Sequence, residues 1–145
     1  MTFLMAMVPV VELRGAIPYG VMSGLSVRTA FILSVIGNLV PIPFLIIFTR
    51  KVFEWLRVKS ERLDRLVSRL EAKADRNKAK VEKSEFLGLM LLVAIPLPGT
   101  GAWTGALVAA MMDMRLKRAM PAIIVGVLTA GIIVTTLTYG WARLI

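Results

Sequence analysis

Apolar residues fill two long segments of this chain, and most of the charged residues lie between them. The segments 28–50 and 118–141 carry charge only at their ends. As a helix the first is roughly 34 Å long at about 1.5 Å per residue, enough to cross a hydrocarbon core of roughly 30 Å. The pattern therefore predicts two membrane-spanning helices. Asn38, Pro41 and Pro43 interrupt the first, and we expect a kink there with freed carbonyls that face protein or water.

Two shorter apolar segments are broken at corresponding places. Pro9 opens the first break, and Pro96 opens the second 87 residues later. The arms around the second break, 84–95 and 102–112, each reach about 16 to 18 Å as helices, close to half of the membrane core. We therefore predict re-entrant hairpins, which turn near the midplane and leave on the side they entered. Interrupted segments at matching positions of two halves are typical of transporter binding sites.

The same 87-residue offset pairs the triplet 26–28 with the triplet 113–115, and each triplet opens a long apolar segment. A hairpin would return 113–118 to the same side of the membrane as the charged segment 50–85. Basic loops prefer the cytoplasmic side, so this arrangement is favoured. A single helix over 86–112 would place the same residues outside and give four spanning helices. Length permits both arrangements, and charge placement favours the hairpins.

The predicted fold class is an all-α integral membrane protein built from an inverted repeat. Repeat 1 covers 1–50, with hairpin 1–25 and membrane helix 28–50, and repeat 2 covers 84–145, with hairpin 84–112 and membrane helix 118–141. Between them, 51–83 is a charged amphipathic insert with Leu56, Leu63 and Leu70 at heptad spacing, predicted to be helical and cytoplasmic. Two interpretations of the insert stay open: a solvated connector, or a helix that lies on lipid or pairs with a second copy.

Composition excludes several classes of function. The chain is 57% hydrophobic with mean hydropathy +0.76, and 50–85 holds 12 of the 18 basic and 7 of the 9 acidic residues. Polar residues segregated in this way do not cover the surface of a soluble domain. The sequence has no Cys and no His, which excludes disulfides, thiolate or imidazole metal sites, and Ser/His/Asp or Cys/His catalysis. The net charge is +9, and the basic residues flank apolar spans. We therefore predict that they contact anionic lipid head groups rather than nucleic acid.

Glu12 and Arg14 are the candidate chemical groups of the first break. Ionisable residues in an apolar membrane segment cost at least a few kcal/mol each, which marks them as functional candidates. One alternative is that the two side chains pair with each other to close a buried turn. Another places Glu12 nearer the outer surface, because the arm before Pro9 is short.

The prolines and glycines of the second break stop the incoming helix and let the chain turn. The outgoing helices begin near Gly15 and Ala102, so both N-termini would point into the midplane, where their positive dipole ends favour a phosphate or carboxylate. Thr100 and Thr104 would supply hydroxyl groups, and Trp103 an apolar wall or simple packing. The predicted substrate and proton site consists of Glu12, Arg14, Gly15, Pro18, Asn38, Pro96, Pro98, Gly99, Thr100, Gly101, Trp103 and Thr104.

These two motifs resemble a known family. The runs Pro9-x-x-Glu12-Leu13-Arg14-Gly15-Ala16-Ile17-Pro18-x-Gly20 and Pro96-Leu97-Pro98-Gly99-Thr100-Gly101-Ala102-Trp103-x-Gly105 resemble the putative small multidrug export proteins of archaeal and bacterial membranes. The Pro98-Gly99 element and the twin-hairpin plan are distantly similar to the DedA and VTT superfamily, whose members are implicated in moving lipid phosphates with proton coupling. That resemblance implies Glu12 as the proton-linked acid and Arg14 as the phosphate contact. The DedA-type motif usually has an Arg after its Pro-Gly, where this chain has Thr100 and Gly101.

We therefore predict a secondary transporter or flippase of the prokaryotic cytoplasmic membrane, proton-coupled through Glu12, for an amphiphilic or lipid-phosphate substrate with an anionic group. Two spanning helices enclose little space, so we expect a homodimer or higher homo-oligomer. The prediction includes no catalytic residue, no cofactor and no metal. The alternatives are an exporter of lipophilic cationic drugs that uses Glu12, a non-transporting scaffold that acts through the basic insert, and a membrane enzyme acting on a lipid phosphate.

Overall fold

In the computed structural model, the described backbone covers residues 1–76, 78–97 and 100–140, and the described side chains within it are those outside 67 and 70–82. Every regular element in these ranges is an α-helix, which confirms the all-α class for the described part of the chain. The helices are α1 Thr2–Met7, α2 Glu12–Met22, α3 Val27–Leu39, α4 Pro41–Lys59, α5 Glu61–Arg76, α6 Lys78–Ala94, α7 Ala102–Met111 and α8 Leu116–Tyr139.

The first half of the chain folds as a short helical pair, α1 and α2, packed against α3. Only Val40 separates α3 from α4, and its own backbone is helical, with φ −57° and ψ −48°. Pro41 is tolerated there because the first position of a helix needs no N–H partner. The helical run 27–59 therefore has 33 residues and is about 50 Å long. It passes the predicted boundary at Arg50 and carries the first part of the charged insert.

The second half repeats this plan with α6 and α7 packed against α8. Among the described residues, two helices are long and apolar enough to cross a membrane: the run 27–59 and α8, which has 24 residues. α6 begins at Lys78, so the charged insert consists of the end of α4, all of α5 and the start of α6. α5 contacts chiefly α4 and α6, its neighbours along the chain. Trp141, the predicted end of the last membrane helix, lies outside the described residues.

Small residues form much of the interior, and large apolar side chains cover much of the outside. Side chains such as Phe44, Phe48 and Leu137 are exposed, an arrangement that is costly in water and neutral in lipid. Helices approach closely where alanine is buried between them. The buried alanines of α7 and α8 include Ala102, Ala106, Ala109, Ala119, Ala122 and Ala130.

The connections α2–α3 and α7–α8 have the same turn geometry. Gly24 (φ 94°) and Asp113 (φ 53°) each adopt the left-handed conformation just after a helix. The following amide then donates to a carbonyl in the last turn of that helix, the long-range bond of a Schellman cap. These bonds run from Leu25 to Gly20 at 3.0 Å and from Met114 to Ala109 at 2.9 Å.

This equivalence corrects the sequence alignment of the two halves beyond the breaks. Ser26 is the N-cap of α3 and Arg115 is the N-cap of α8, so equivalent residues are 89 apart. The pairing of 26–28 with 113–115 was therefore wrong by two positions. The physical reason is that cap and turn geometry, rather than residue type, defines where each long helix begins.

The incoming arms keep the 87-residue offset, as two glycine contacts show. A Cβ on Gly37 of α3 would overlap the Phe3 carbonyl of α1, and a Cβ on Gly126 of α8 would lie 2.8 Å from the Met90 carbonyl of α6. The two glycines are 89 residues apart, whereas the two carbonyls they meet are 87 apart. Between the incoming arm and the long helix, the second half therefore contains two more residues than the first.

Replacing Gly126 by Ala tests the close contact between α6 and α8. The added Cβ would stand 2.7 Å from Cβ of Val93, so we expect Gly126→Ala to destabilise the protein by about 1–3 kcal/mol. Gly88, also helical, has open space at its Cβ position, so Gly88→Ala should be neutral or slightly stabilising. Melting temperatures of both variants in the same detergent provide the comparison. A Gly126→Ala protein that melts like the wild type would contradict the packing.

Candidate functional site

The two breaks lie against each other, and Trp103 in the first turn of α7 binds the first break. Its indole Nε1–H donates to the Met7 carbonyl, at the end of α1, at 3.1 Å. Its backbone N–H donates to Oε1 of Glu12, at the start of α2, also at 3.1 Å. One residue of the second hairpin therefore holds both sides of the break in the first.

Arg14 in the first turn of α2 makes the reciprocal contact with the second break. Its Nη1 donates to the Leu97 carbonyl, and its Nη2 donates to the Ile95 carbonyl at 3.2 Å and to Oγ1 of Thr100 at 2.9 Å. Ile95 directly follows α6, so the guanidinium lies where unpaired carbonyls and the negative dipole end of that helix favour a cation. Arg14 and Trp103 occupy equivalent positions, because they too are 89 residues apart.

The Thr100 hydroxyl completes the polar contacts of the second break. Its Oγ1 lies 2.6 Å from the Ile95 carbonyl oxygen and 2.7 Å from that of Leu97, and the Leu97 N–H donates to it at 3.2 Å. A hydroxyl has one proton, so it donates to one of the two carbonyls while Arg14 supplies donors to both. The carbonyls of Ile95 and Leu97 are thereby satisfied from inside the protein.

Glu12 occupies the N-terminal end of α7. Glu12 is only 4% exposed, and a carboxylate buried to that degree requires hydrogen-bond donors. The amides of Ala102 and Trp103 supply them, and the positive end of the α7 dipole adds to the attraction. Gly101 (φ 129°) leaves room for the carboxylate, since a Cβ there would overlap its oxygens. The anion that we expected at this helix end is, in this state, the protein's own side chain.

The sequence alternative in which Glu12 and Arg14 pair with each other is not the arrangement found. Each side chain points to the opposite hairpin, and no ion pair joins the two among the described side chains. Because they are separated by two positions, they project from different sides of the first turn of α2.

The first break is also strained. Val10 (φ 75°) and Glu12 (φ 47°) adopt left-handed backbone conformations that cost an L-residue roughly 1–2 kcal/mol each. Val10 is β-branched, which makes this conformation especially unfavourable. Such a conformation persists only where surrounding contacts impose it, and here Trp103 holds both ends of the break.

The family model described as "Putative small multi-drug export protein" matches residues 12–133. The match begins at Glu12 and includes Arg14 and the whole second break. The chain belongs to this family. No curated protein and no solved structure matches the chain.

Membership of this family and the two long apolar helices make the chain an integral membrane protein of the transporter type. Export is not an enzyme class, since an exporter moves its substrate without converting it. The bilayer is accordingly the environment of the exposed apolar side chains described above.

Five of the predicted site residues meet at the two breaks. The contacts above join Glu12, Arg14, Thr100, Gly101 and Trp103.

The other predicted residues lie around this centre or away from it. The Gly15 amide donates to the Val11 carbonyl at 3.0 Å, and Pro18 lies inside α2. Pro96 is half-buried in the second break, Thr104 is half-buried in the first turn of α7, and Pro98 and Gly99 lie outside the described residues. Asn38 is fully buried on α3, where its Oδ1 has no partner among the described residues, and it takes no part in the hydrogen bonds that join the breaks.

Sequence reasoning missed the backbone half of the site. The carbonyls of Met7, Ile95 and Leu97 are the acceptors that hold the breaks together, and Trp103 acts through two N–H groups. The only signal for the carbonyls is indirect: a helix that ends before a proline leaves acceptors that need donors from elsewhere.

Replacing Gly101 by Ala tests the fit of the Glu12 carboxylate against α7. Gly24 is the matched control, because it is also left-handed but has nothing within 4 Å of its Cβ position. Both substitutions carry backbone strain, and only Gly101→Ala displaces the carboxylate. We expect it to lower the free energy of unfolding by about 1–3 kcal/mol more than Gly24→Ala does.

A second comparison isolates the carboxylate itself. In a Glu12→Ala background the overlap is gone, so Gly101→Ala should then cost no more than Gly24→Ala. Thermal unfolding in one detergent measures the loss of stability from each glycine substitution, in the wild-type background and in the Glu12→Ala background. Equal losses from Gly101→Ala and Gly24→Ala in the wild-type background would contradict the assigned position of Glu12.

Proposed function

We propose that this protein is a secondary transporter whose substrate site lies between the two breaks, near the midplane of the bilayer. The observation that carries the proposal is the reciprocal contact, in which Arg14 binds the second break and Trp103 binds the first. Side-chain hydrogen bonds between two hairpins can separate without unfolding either hairpin. A site closed by such contacts is suited to opening toward one side of the membrane at a time.

The hairpins are proposed to be re-entrant and to enter from opposite leaflets, as repeats 1–50 and 84–145. Nε of Arg50, at the charged end of the first membrane helix, lies 3.6 Å from Oδ1 of Asp113 in the α7–α8 turn. This ion pair supports a second hairpin that leaves the charged insert through α6 and returns beside it through α7. The 10 residues of α7 are about 15 Å long, half of the hydrocarbon core. The insert is then cytoplasmic by the positive-inside rule.

The proposed substrate carries a phosphate or carboxylate group, which takes the place of the Glu12 carboxylate at α7. When Glu12 accepts a proton it loses its charge, and its hydrogen bonds from the Ala102 and Trp103 amides weaken. Those amides then become available to the anionic group of an amphiphile or lipid phosphate. Proton binding and substrate binding therefore favour each other, which is the coupling that a proton-linked transporter requires.

The family description names multi-drug export, which supports a drug exporter as a second candidate. We take its substrates to be lipophilic cations. In that mechanism the Glu12 carboxylate itself would bind the cation after leaving α7. A neutral residue in place of Glu12 distinguishes the two candidates. It should permit substrate binding in the anionic mechanism and abolish substrate binding in the cationic mechanism.

A homodimer is part of the proposal, because one chain leaves the breaks partly open. Val10 and Leu97 are 91% and 56% exposed. Irregular backbone at membrane depth must face protein or a water-filled cavity. A second copy completes the enclosure on that side.

Glu12→Gln separates the two transport mechanisms. The variant keeps the size of the side chain and removes its charge and its proton. With the anionic mechanism, proteoliposomes should still move a fluorescent anionic phospholipid, but an imposed pH gradient should no longer drive it. With the cationic mechanism, uptake of tetraphenylphosphonium should be lost. Glu54→Gln, at an exposed acid of α4, is the control and should behave as the wild type.

Two outcomes of this assay count against the proposal. Normal proton-driven transport by Glu12→Gln would remove Glu12 from the mechanism. A wild-type protein that moves neither class of substrate would favour the non-transporting scaffold.

Single cysteines test the topology, since the natural chain has none. Lys51→Cys marks the side of the insert, and Met112→Cys and Ser23→Cys mark the two equivalent turns; all three residues are exposed. Re-entrant hairpins predict that an impermeant maleimide labels positions 51 and 112 from one side of sealed vesicles and position 23 from the other. Labelling of positions 51 and 112 from opposite sides would indicate four spanning helices.

A further inference from the structure

α5 carries an apolar stripe that is exposed at Leu66. Leu63 and Leu66 lie on this stripe at helical spacing, and Leu66 is 55% exposed. The contacts of α5 are chiefly with α4 and α6, which connect it to the membrane part of the chain. The apolar stripe is thus held close to the membrane but outside the helical core.

A basic stripe runs beside the apolar one. Arg62, Arg65 and Arg69 recur at spacings of three and four residues and so share one face of the helix. Neither Arg62 nor Arg69 has an acidic partner among the described side chains, and both are exposed. The acids of the first turn are already engaged, in the ion pairs Arg57–Asp64 at 3.3 Å and Arg65–Glu61 at 3.4 Å.

The start of α5 lies next to a side-chain pair typical of the membrane–water interface. The ammonium of Lys59 stands 4.5 Å from the centre of the Trp55 ring, and the tryptophan is 56% exposed. Tryptophan and lysine together favour the head-group level, where the ring is half in hydrocarbon and the charge is in water. Only Ser60 separates this pair from α5. This pair favours head-group depth for the start of the helix.

We propose that α5 lies flat on the leaflet adjoining the insert and binds the phosphate groups of anionic phospholipids through its arginine stripe, with Leu63 and Leu66 inserted toward the acyl chains. An apolar stripe, an arginine-rich flank and low overall hydrophobicity are the properties of interfacial helices. The surface potential of anionic lipid supplies the attraction for Arg62 and Arg69. This lipid surface is separate from the proposed transport site and does not depend on transport activity.

An environment-sensitive fluorophore on the full chain tests the proposal. Leu66→Cys and Ser68→Cys are each labelled with NBD and reconstituted in phosphatidylcholine nanodiscs, with and without phosphatidylglycerol. Position 68 is about 200° around the helix from position 66 and is the matched control. We expect a blue shift at position 66 alone, and only with phosphatidylglycerol.

Charge variants identify the lipid contact. Each neutralised arginine should lower the ratio of docked to undocked α5 roughly fivefold, so Arg62→Gln with Arg69→Gln should abolish the shift. Arg62→Lys with Arg69→Lys should retain most of it. Equal signals at 66 and 68, or a shift that is independent of phosphatidylglycerol, would overturn the proposal. A shift in neutral lipid that requires two copies per nanodisc would assign the stripe to a second chain instead.

Discussion

Broken helices in a membrane expose backbone groups that have no partner, and this structure depends on how those groups are satisfied. Each such group costs several kcal/mol in hydrocarbon. Here the donors and acceptors come from the opposite break: Arg14 binds the carbonyls after α6, and Trp103 binds the carbonyl at the end of α1. Glu12 accepts from the amides that open α7. Thr100 adds contacts within the second break, but each hairpin requires groups of the other to complete the hydrogen bonding of its break.

This mutual requirement explains features that are otherwise unfavourable. A buried acid and a nearby arginine persist in an apolar segment because each neutralises the dipole end of a helix in the other half. Two left-handed residues persist in the first break because contacts on both sides hold them. Gly37 and Gly126 let the incoming arms approach the long helices closely enough to bring the breaks together. Gly101 leaves space for the Glu12 carboxylate at the start of α7.

The sequence predicted the parts of this arrangement that depend on residue type. Prolines and glycines mark the breaks, apolar runs without internal charge mark the long helices, and an acid and an arginine in apolar surroundings mark side chains that join the breaks. It did not predict which backbone groups these side chains bind, because a carbonyl looks the same at every position of a sequence. It also aligned the halves by residue type and missed the two-residue difference, which only the turns at Gly24 and Asp113 reveal. The extension of α4 beyond Arg50 is not predicted, because the charge-free run ends there while the helix continues through charged residues to Lys59.

Both breaks are proposed to lie together at the middle of the bilayer, and the depth of each break can be measured. A nitroxide is attached at Val10→Cys or at Leu97→Cys, and pulsed electron–electron double resonance measures its distance to gadolinium-labelled lipid head groups. Both positions are exposed enough to accept the label. We predict that both labels lie at the same depth, about 15 Å from either edge of the hydrocarbon core. A Val10 label at head-group level, with the Leu97 label deep in the membrane, would show that the breaks do not meet at the midplane.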